Sequence, residues 1–325
     1  MRRALIAAAA AAAVVIVAGC TPEVPAPSTA ASVEAGAALQ DAQAQAVIEA
    51  TFDELAAADA ALDGSMLGER VDGQVKRARN AQYKLKSADS SVPLTDIPDE
   101  MQAVYLPAEG SWPRVMAAVT VEPDDDLTPV VLVWVQEDIE DDYTLVGWAH
   151  MVPGATLPSM PGGSTGTSTL PLDTDTIDPT PQASYESYLE LLRGGSGSDL
   201  DDQFAPDTYR EGVFAARKSF SDSAEQSDGK AVDTIVPKMS DTFAIGTADG
   251  GALVLAPLEV RSAITVEDAQ IIPPESVEPL VRGEIDDQAT YTYADFLVLY
   301  VPGPGADTLP GVVAADHTLI LLSAS

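Results

Sequence analysis

The chain has 325 residues, fifty-one acidic against seventeen basic, and a formal net charge of −34. That charge excludes binding to a nucleic-acid backbone by counterion release and attraction of the body to anionic lipid. An apolar fraction of 46% excludes a disordered chain, and the length leads us to expect two domains.

The first element is an export signal. Met1-Arg2-Arg3 is a positive start, Ala4 to Ala18 is an uncharged apolar run, and small residues precede Cys20, the chain's one cysteine. The run is too short to span a bilayer, which needs ~20 apolar residues. Val17-Ala18-Gly19-Cys20 resembles the lipobox of bacterial lipoproteins. The resemblance implies cleavage between Gly19 and Cys20, diacylglycerol on the Cys20 thiol, and acylation of the new terminus with a fatty acid such as palmitate. The expected location is the extracytoplasmic face of the cell membrane, with the bilayer as partner through lipidated Cys20. Loss of Arg2 and Arg3 with residues 1–19 takes the charge from −34 to −36. Two acyl chains hold stably where one is marginal. A tether over residues 20–32, if extended, reaches ~35 Å at ~3.1 Å per residue. That exceeds the ~8 Å Debye length several-fold, so an acidic body can stand clear of anionic lipid. A lipidated Cys20 also leaves no free thiol, which excludes cysteine nucleophiles, thiol redox chemistry and cysteine-ligated zinc.

Residues 33–153 read as a first domain. Ile48, Phe52, Leu55 and Leu62 form one stripe of a helix starting between Ser32 and Asp41, with Gly64 as its stop. Ser65 is positioned to cap a second helix with stripe Leu67, Val71 and Val75, running into Lys76-Arg77-Ala78-Arg79, where basic residues would complement the helix dipole. Strands are then expected at Tyr83 to Lys86, Met101 to Leu106, Arg114 to Val121, Val130 to Gln136 and Tyr143 to Val152. Val130 to Val135 is apolar at both parities, so both faces must be covered. Helices can take one. The other must meet a closed pocket, the second domain or a partner.

Residues 154–181, dense in Gly, Ser, Thr and Pro, read as a linker, part of which can return to edge the first sheet. Residues 182–325 restart the order as a second domain. Thr180-Pro181 caps a helix with stripe Tyr185, Tyr188, Leu189 and Leu192, and Asp207 caps another with stripe Tyr209, Val213, Ala216 and Phe220. Strands are expected at Val232 to Val236, Thr242 to Thr247, Ala252 to Leu258, Val260 to Val266, Tyr291 to Val301 and Val312 to Leu322.

The expected fold class is α+β: two tandem domains, each with N-terminal helices packed on a curved antiparallel sheet. That element order resembles NTF2-like and cystatin-like folds, and tethered tandem modules resemble actinobacterial envelope lipoproteins. The resemblance implies a surface binding or accessory role without defined chemistry.

Candidate chemistry is sparse. His150 and His317, the two histidines, fall in different expected domains without metal-ligand spacing. Alternation puts Val146, Trp148, His150 and Val152 on one face, so Trp134, Trp148 and His150 are the candidate pocket; grouped tryptophans are also ordinary core residues. Asp173 to Asp178 opens like a calcium loop, but Asp178 stands where glycine is needed and Ser184 where glutamate is. The acidic runs Asp124-Asp125-Asp126, Glu137 to Asp142 and Asp199 to Asp202 lack cage spacing. Gly162-Gly163-Ser164-Thr165-Gly166 matches a nucleophile elbow, yet no strand precedes it and no helix follows. No catalytic residue, cofactor or metal is assigned. The expectation is a non-catalytic binding or envelope-accessory lipoprotein, with an envelope protein or small molecule as partner. A secreted hydrolase is the alternative, and a solute-binding lipoprotein is disfavoured because repeated βαβ patterning is missing. An acid and a histidine within hydrogen-bond reach in a concave site would favour the hydrolase.

Overall fold

In the computed structural model, residues 36–110, 112–122, 127–267 and 269–324 are described. The expected export signal, Cys20, the expected tether and Asp124-Asp125-Asp126 lie outside the described residues. Helix α1, Asp41–Ala61, starts where Gln40 and Gln43 cap one another, and it buries Ala44, Ile48, Leu55 and Ala58. It ends at Leu62, with φ of 50°, two residues before the glycine expected to stop it.

The second helix departs from expectation. Residues 67–72 are not helical; Leu145 donates its N–H to Arg70 and accepts one from Asp72. Leu67 and Val71 are buried from this non-helical stretch. Helix α2 therefore begins only at Gly73 and runs Gly73–Ala88, taking in Tyr83 to Lys86, which we expected as a strand. Tyr83 and Arg79 sit one turn apart on α2 and share Asp59 of α1, the Tyr83 hydroxyl donating at 2.6 Å and Arg79 Nε lying at 3.1 Å. Lys76 to Arg79 consequently fall in the first half of the helix, where the dipole does not favour cations. Their placement has to be explained by their partners.

The remaining elements follow the periodicity closely. The first half holds β1 Met101–Tyr105, β2 Arg114–Thr120, β3 Val130–Gln136 and β4 Thr144–Met151. After β5, Thr169–Leu170, come α3, Pro181–Gly194, and α4, Thr208–Glu225. Thr180 Oγ1 caps α3 at Ala183 N (3.1 Å), and Asp207 caps α4 at Arg210 N (2.8 Å). Then follow β6 Lys230–Pro237, β7 Phe243–Gly246, β8 Ala252–Thr265, β9 Val281–Arg282, β10 Gln288–Val301 and β11 Gly311–Ser323. The two strands expected between Ala252 and Val266 are one continuous β8.

All strands join one sheet, in the order β1-β2-β3-β4-β11-β10-β8-β7-β5, with β6 on β8 and β9 on β11. Every pairing is antiparallel except β9–β11. The halves meet at β4–β11, through His150↔Ala315 and Met151↔Ala314. One face of β2 and β3 (Val115, Ala117, Val131, Val133) packs against one face of β8 and β10 (Leu253, Leu255, Phe296, Val298). The sheet therefore folds over along that seam into two packed layers. Gly147 marks the approach: a Cβ there would lie 2.2 Å from Phe296 Cε2. α1 and α2 cover the outer face of the first arm, over Leu132, Trp134 and Trp148. α3 and α4 cover the outer face of the second, over Val254, Leu258, Leu297 and Leu299.

The fold class is thus α+β with a large antiparallel sheet. The two-sided burial of β3 is met by helices on one face and by the second half of the chain on the other. Residues 35–325 form one compact unit, whose halves share a sheet and a central core. Residues 154–181 are built into that body. Thr167 N donates to Leu106 O at 2.7 Å, β5 edges β7, and Ile177 is buried in the α3/α4 core.

Candidate functional site

Tertiary folding brings the two histidines to one groove. β4 and β11 pair through His150↔Ala315, and His317 lies two residues beyond Ala315, on the same face of β11. The imidazoles are thus diagonal neighbours across the seam. The groove has a volume of about 450 Å³ and is bordered by Leu127, Val152, Pro153, Val213 and both histidines, with the first turn of α4 at its rim.

His317 is held by three aromatic or acidic neighbours. Asp295 on β10 is fully buried and accepts hydrogen bonds from His317 Nδ1 at 2.8 Å and from Tyr209 Oη at 2.6 Å. A carboxylate only accepts, so Nδ1 carries a proton and Nε2 is the atom left for the groove. The ring stacks on Tyr293, with centroids 4.0 Å apart and planes 13° apart, and meets Tyr209 edge-on at 6.2 Å. Burial pushes the imidazole pKa down; the charge and hydrogen bond of Asp295, reinforced by Asp316 and Asp233, outweigh it and hold it above the ordinary histidine value. His150 Nδ1 lies 3.9 Å from Asp316 Oδ1. Asp316 accepts from Thr318 Oγ1 at 2.7 Å and from Gln74 Nε2 at 3.1 Å. Burial raises its pKa, opposed by the Thr318 hydrogen bond and by His150.

Of the candidate pocket, only His150 reaches a groove. A bulge on β4 pairs Leu145 with Trp134 and Gly147 with Val133, so Leu145 and Trp148 both face the helices and Val146 faces the other way. Trp134 and Trp148 are fully buried. The Trp134 indole N–H donates to Thr51 Oγ1 at 3.0 Å, and Arg79 lies 5.1 Å over the Trp148 ring. They are core residues.

A larger cleft of about 890 Å³ lies between the start of α2, the β3–β4 loop and the β6–β8 side of the sheet. Glu259 of β8 is buried behind its wall and pairs with Arg77 at 2.7 Å and Lys238 at 3.0 Å, which line the cleft, and with Arg261. Burial raises its pKa, but the hydrogen bonds of Arg261, Lys238 and Arg77 prevail and bring it down to about 2. Arg77 is therefore a tie between the halves. Ser164 of the nucleophile-elbow match sits in an exposed turn. Among the described residues, no three His, Cys, Asp or Glu side chains converge as metal ligands, and no helix is long and apolar enough to cross a membrane.

Asp295 and Asp316 stood outside the sequence-based expectations, and Tyr209 entered them only as part of a helix stripe. A signal was present: Asp295 is the one charge in the apolar strand Tyr291 to Val301. A lone acid in a doubly covered strand needs a partner.

The geometry defines an α+β protein with a histidine-lined groove at the junction of two sheet arms. Residues 35–316 match the family described as Domain of unknown function (DUF8094), and the chain belongs to that family. No curated protein and no solved structure matches the chain.

Proposed function

We propose that this chain is an extracytoplasmic lipoprotein, anchored in the cell membrane through lipidated Cys20, whose body serves as a non-catalytic binding protein of the cell envelope. Support for the anchor comes from Met1-Arg2-Arg3, the apolar run and Val17-Ala18-Gly19-Cys20. The two halves, each a helix pair followed by strands, are read as an architectural repeat of NTF2-like or cystatin-like modules that has merged into one sheet. The observation that carries the binding role is the groove where both histidines meet, His317 oriented by buried Asp295 and His150 lying 3.9 Å from half-buried Asp316. Ligand sites of this kind combine apolar walls with a few placed polar groups in ~300–1,000 Å³.

Cys20→Ser tests the anchor by membrane fractionation and precursor processing. Release into the soluble fraction, or an uncleaved precursor, is expected; unchanged fractionation and processing would defeat the lipoprotein reading. A hydrolase is the second reading, favoured by the Asp295–His317 pair in a concave site. Against it, no hydroxyl among the described residues is hydrogen-bonded to His317 Nε2. Assay of the mature chain against chromogenic esters, amides and glycosides decides between them. No turnover is expected, and turnover abolished by His317→Gln would replace the binding role with catalysis.

A further inference from the structure

We propose that the groove at the β4–β11 seam binds a small amphipathic acid, with its carboxylate between His317 and His150 and its apolar body along Leu127, Val152, Pro153 and Val213. This rests on the reading of the chain as a binding protein and names its ligand class.

Charge sets this groove apart. The chain has fifty-one acids and two histidines, yet both histidines line this one groove and, among the described residues, no carboxylate does. Asp295 lies beneath the His317 ring and holds its Nδ1, Asp316 lies 3.9 Å from His150 Nδ1, and neither carboxylate borders the opening. Fields from more distant surface acids are screened within ~8 Å at physiological salt. The described wall thus carries both imidazoles and no carboxylate, on an otherwise strongly acidic molecule.

Geometry favours an oxyanion there. His317 is fixed by Tyr293, Tyr209 and Asp295, so its Nε2 has one direction available and pays little entropy on binding. Protonated, Nε2–H donates to an oxyanion; neutral, it becomes an acceptor and repels one. The titratable and charged groups acting on His317 are Asp295, Asp316, Asp233, Tyr209 and Tyr293; burial opposes the charged ring, and the carboxylates, Asp295 foremost, prevail and favour it. Charge-assisted hydrogen bonds of this type are roughly twice as strong as neutral ones.

Shape limits the size of the ligand. About 450 Å³ suits a short apolar chain. Gly212, on the exposed side of α4, leaves the groove open: a Cβ there would meet nothing within 4 Å.

Octanoate, octan-1-ol and acetate, titrated into the mature chain bearing Cys20→Ser, test the proposal by calorimetry and by the imidazole Cε1–H resonances. Octanoate should bind about tenfold more tightly at pH 6 than at pH 8.5, shifting both histidines, with octan-1-ol weaker and independent of pH, and acetate weakest. His317→Gln should weaken octanoate about tenfold and remove the pH dependence. Gly212→Leu should keep the fold, since leucine is the better helix former by ~1 kcal/mol, and should block binding. Equal, pH-independent binding of octanoate and octan-1-ol, or octanoate binding unchanged in both variants, overturns the carboxylate assignment. If neither probe binds but an envelope lipid extract shifts the histidine resonances, the ligand class is wrong and the binding role stands. If nothing shifts them, both fall.

Discussion

Glu259 shows what one buried carboxylate does when three cations converge on it. Arg77 comes from α2, Lys238 from the turn after β6 and Arg261 from β8 itself, so the cluster ties the helix of one half to the sheet of the other. Its folded pKa, about 2, lies below the ~4.3 of an unfolded glutamate, so the native state binds fewer protons. The stabilisation is complete above ~4.3 and is lost as pH falls towards 2. Urea midpoints across that window should decline for the parent and lose much of the slope in Glu259→Gln. At neutral pH the variant should be less stable by about 2 kcal/mol, below the ~3–5 kcal/mol of a fully buried pair, because the three cations are partly exposed. An identical slope in the variant would assign the acid sensitivity elsewhere. Gly147 is the other telling residue. Its missing side chain lets the buried Phe296 ring lie against β4. Gly147→Ala is expected to cost about 2 kcal/mol by overpacking, and Phe296→Leu in the same chain should recover part of it. Additive losses in the double variant would show that the two do not touch.

Among the elements, local signals worked where local energetics decide. Thr180 and Asp207 cap their helices through their own side chains, and the Tyr185, Tyr188, Leu189 and Leu192 stripe is buried because a 3.6-residue period puts it on one face. Ser65 failed as a cap for the opposite reason. Residues 67–72 had a competing use, backbone bonds at Leu145, and Leu67 and Val71 could bury without a helix. Tyr83 to Lys86 reads equally as alternation or as half a helical stripe, and in α2 both Arg79 and Tyr83 reach Asp59. The β4 bulge is likewise invisible to parity: one extra residue reverses every face assignment before it, which separates Val146 from Trp148.

At the scale of the molecule, one chain reversal organises everything. Folding a single antiparallel sheet over at β4–β11 gives four layers, helices outside and two sheet arms within, and leaves a groove at the crease. Limited proteolysis should therefore nick the exposed turn at residues 162–165 first, while the fragments co-elute on gel filtration, held by the β2, β3, β8 and β10 core. Fragments that separate without denaturant would restore two independent domains. Periodicity, caps and composition determined the elements of this protein, its α+β class and the demand that β3 be covered twice, because those depend on neighbours a few residues away. Only the tertiary structure decided what covers it, and that His150, His317 and Asp295 share one site. Those meetings depend on strand register and on the sheet's fold-over, which arise from contacts between residues far apart along the chain.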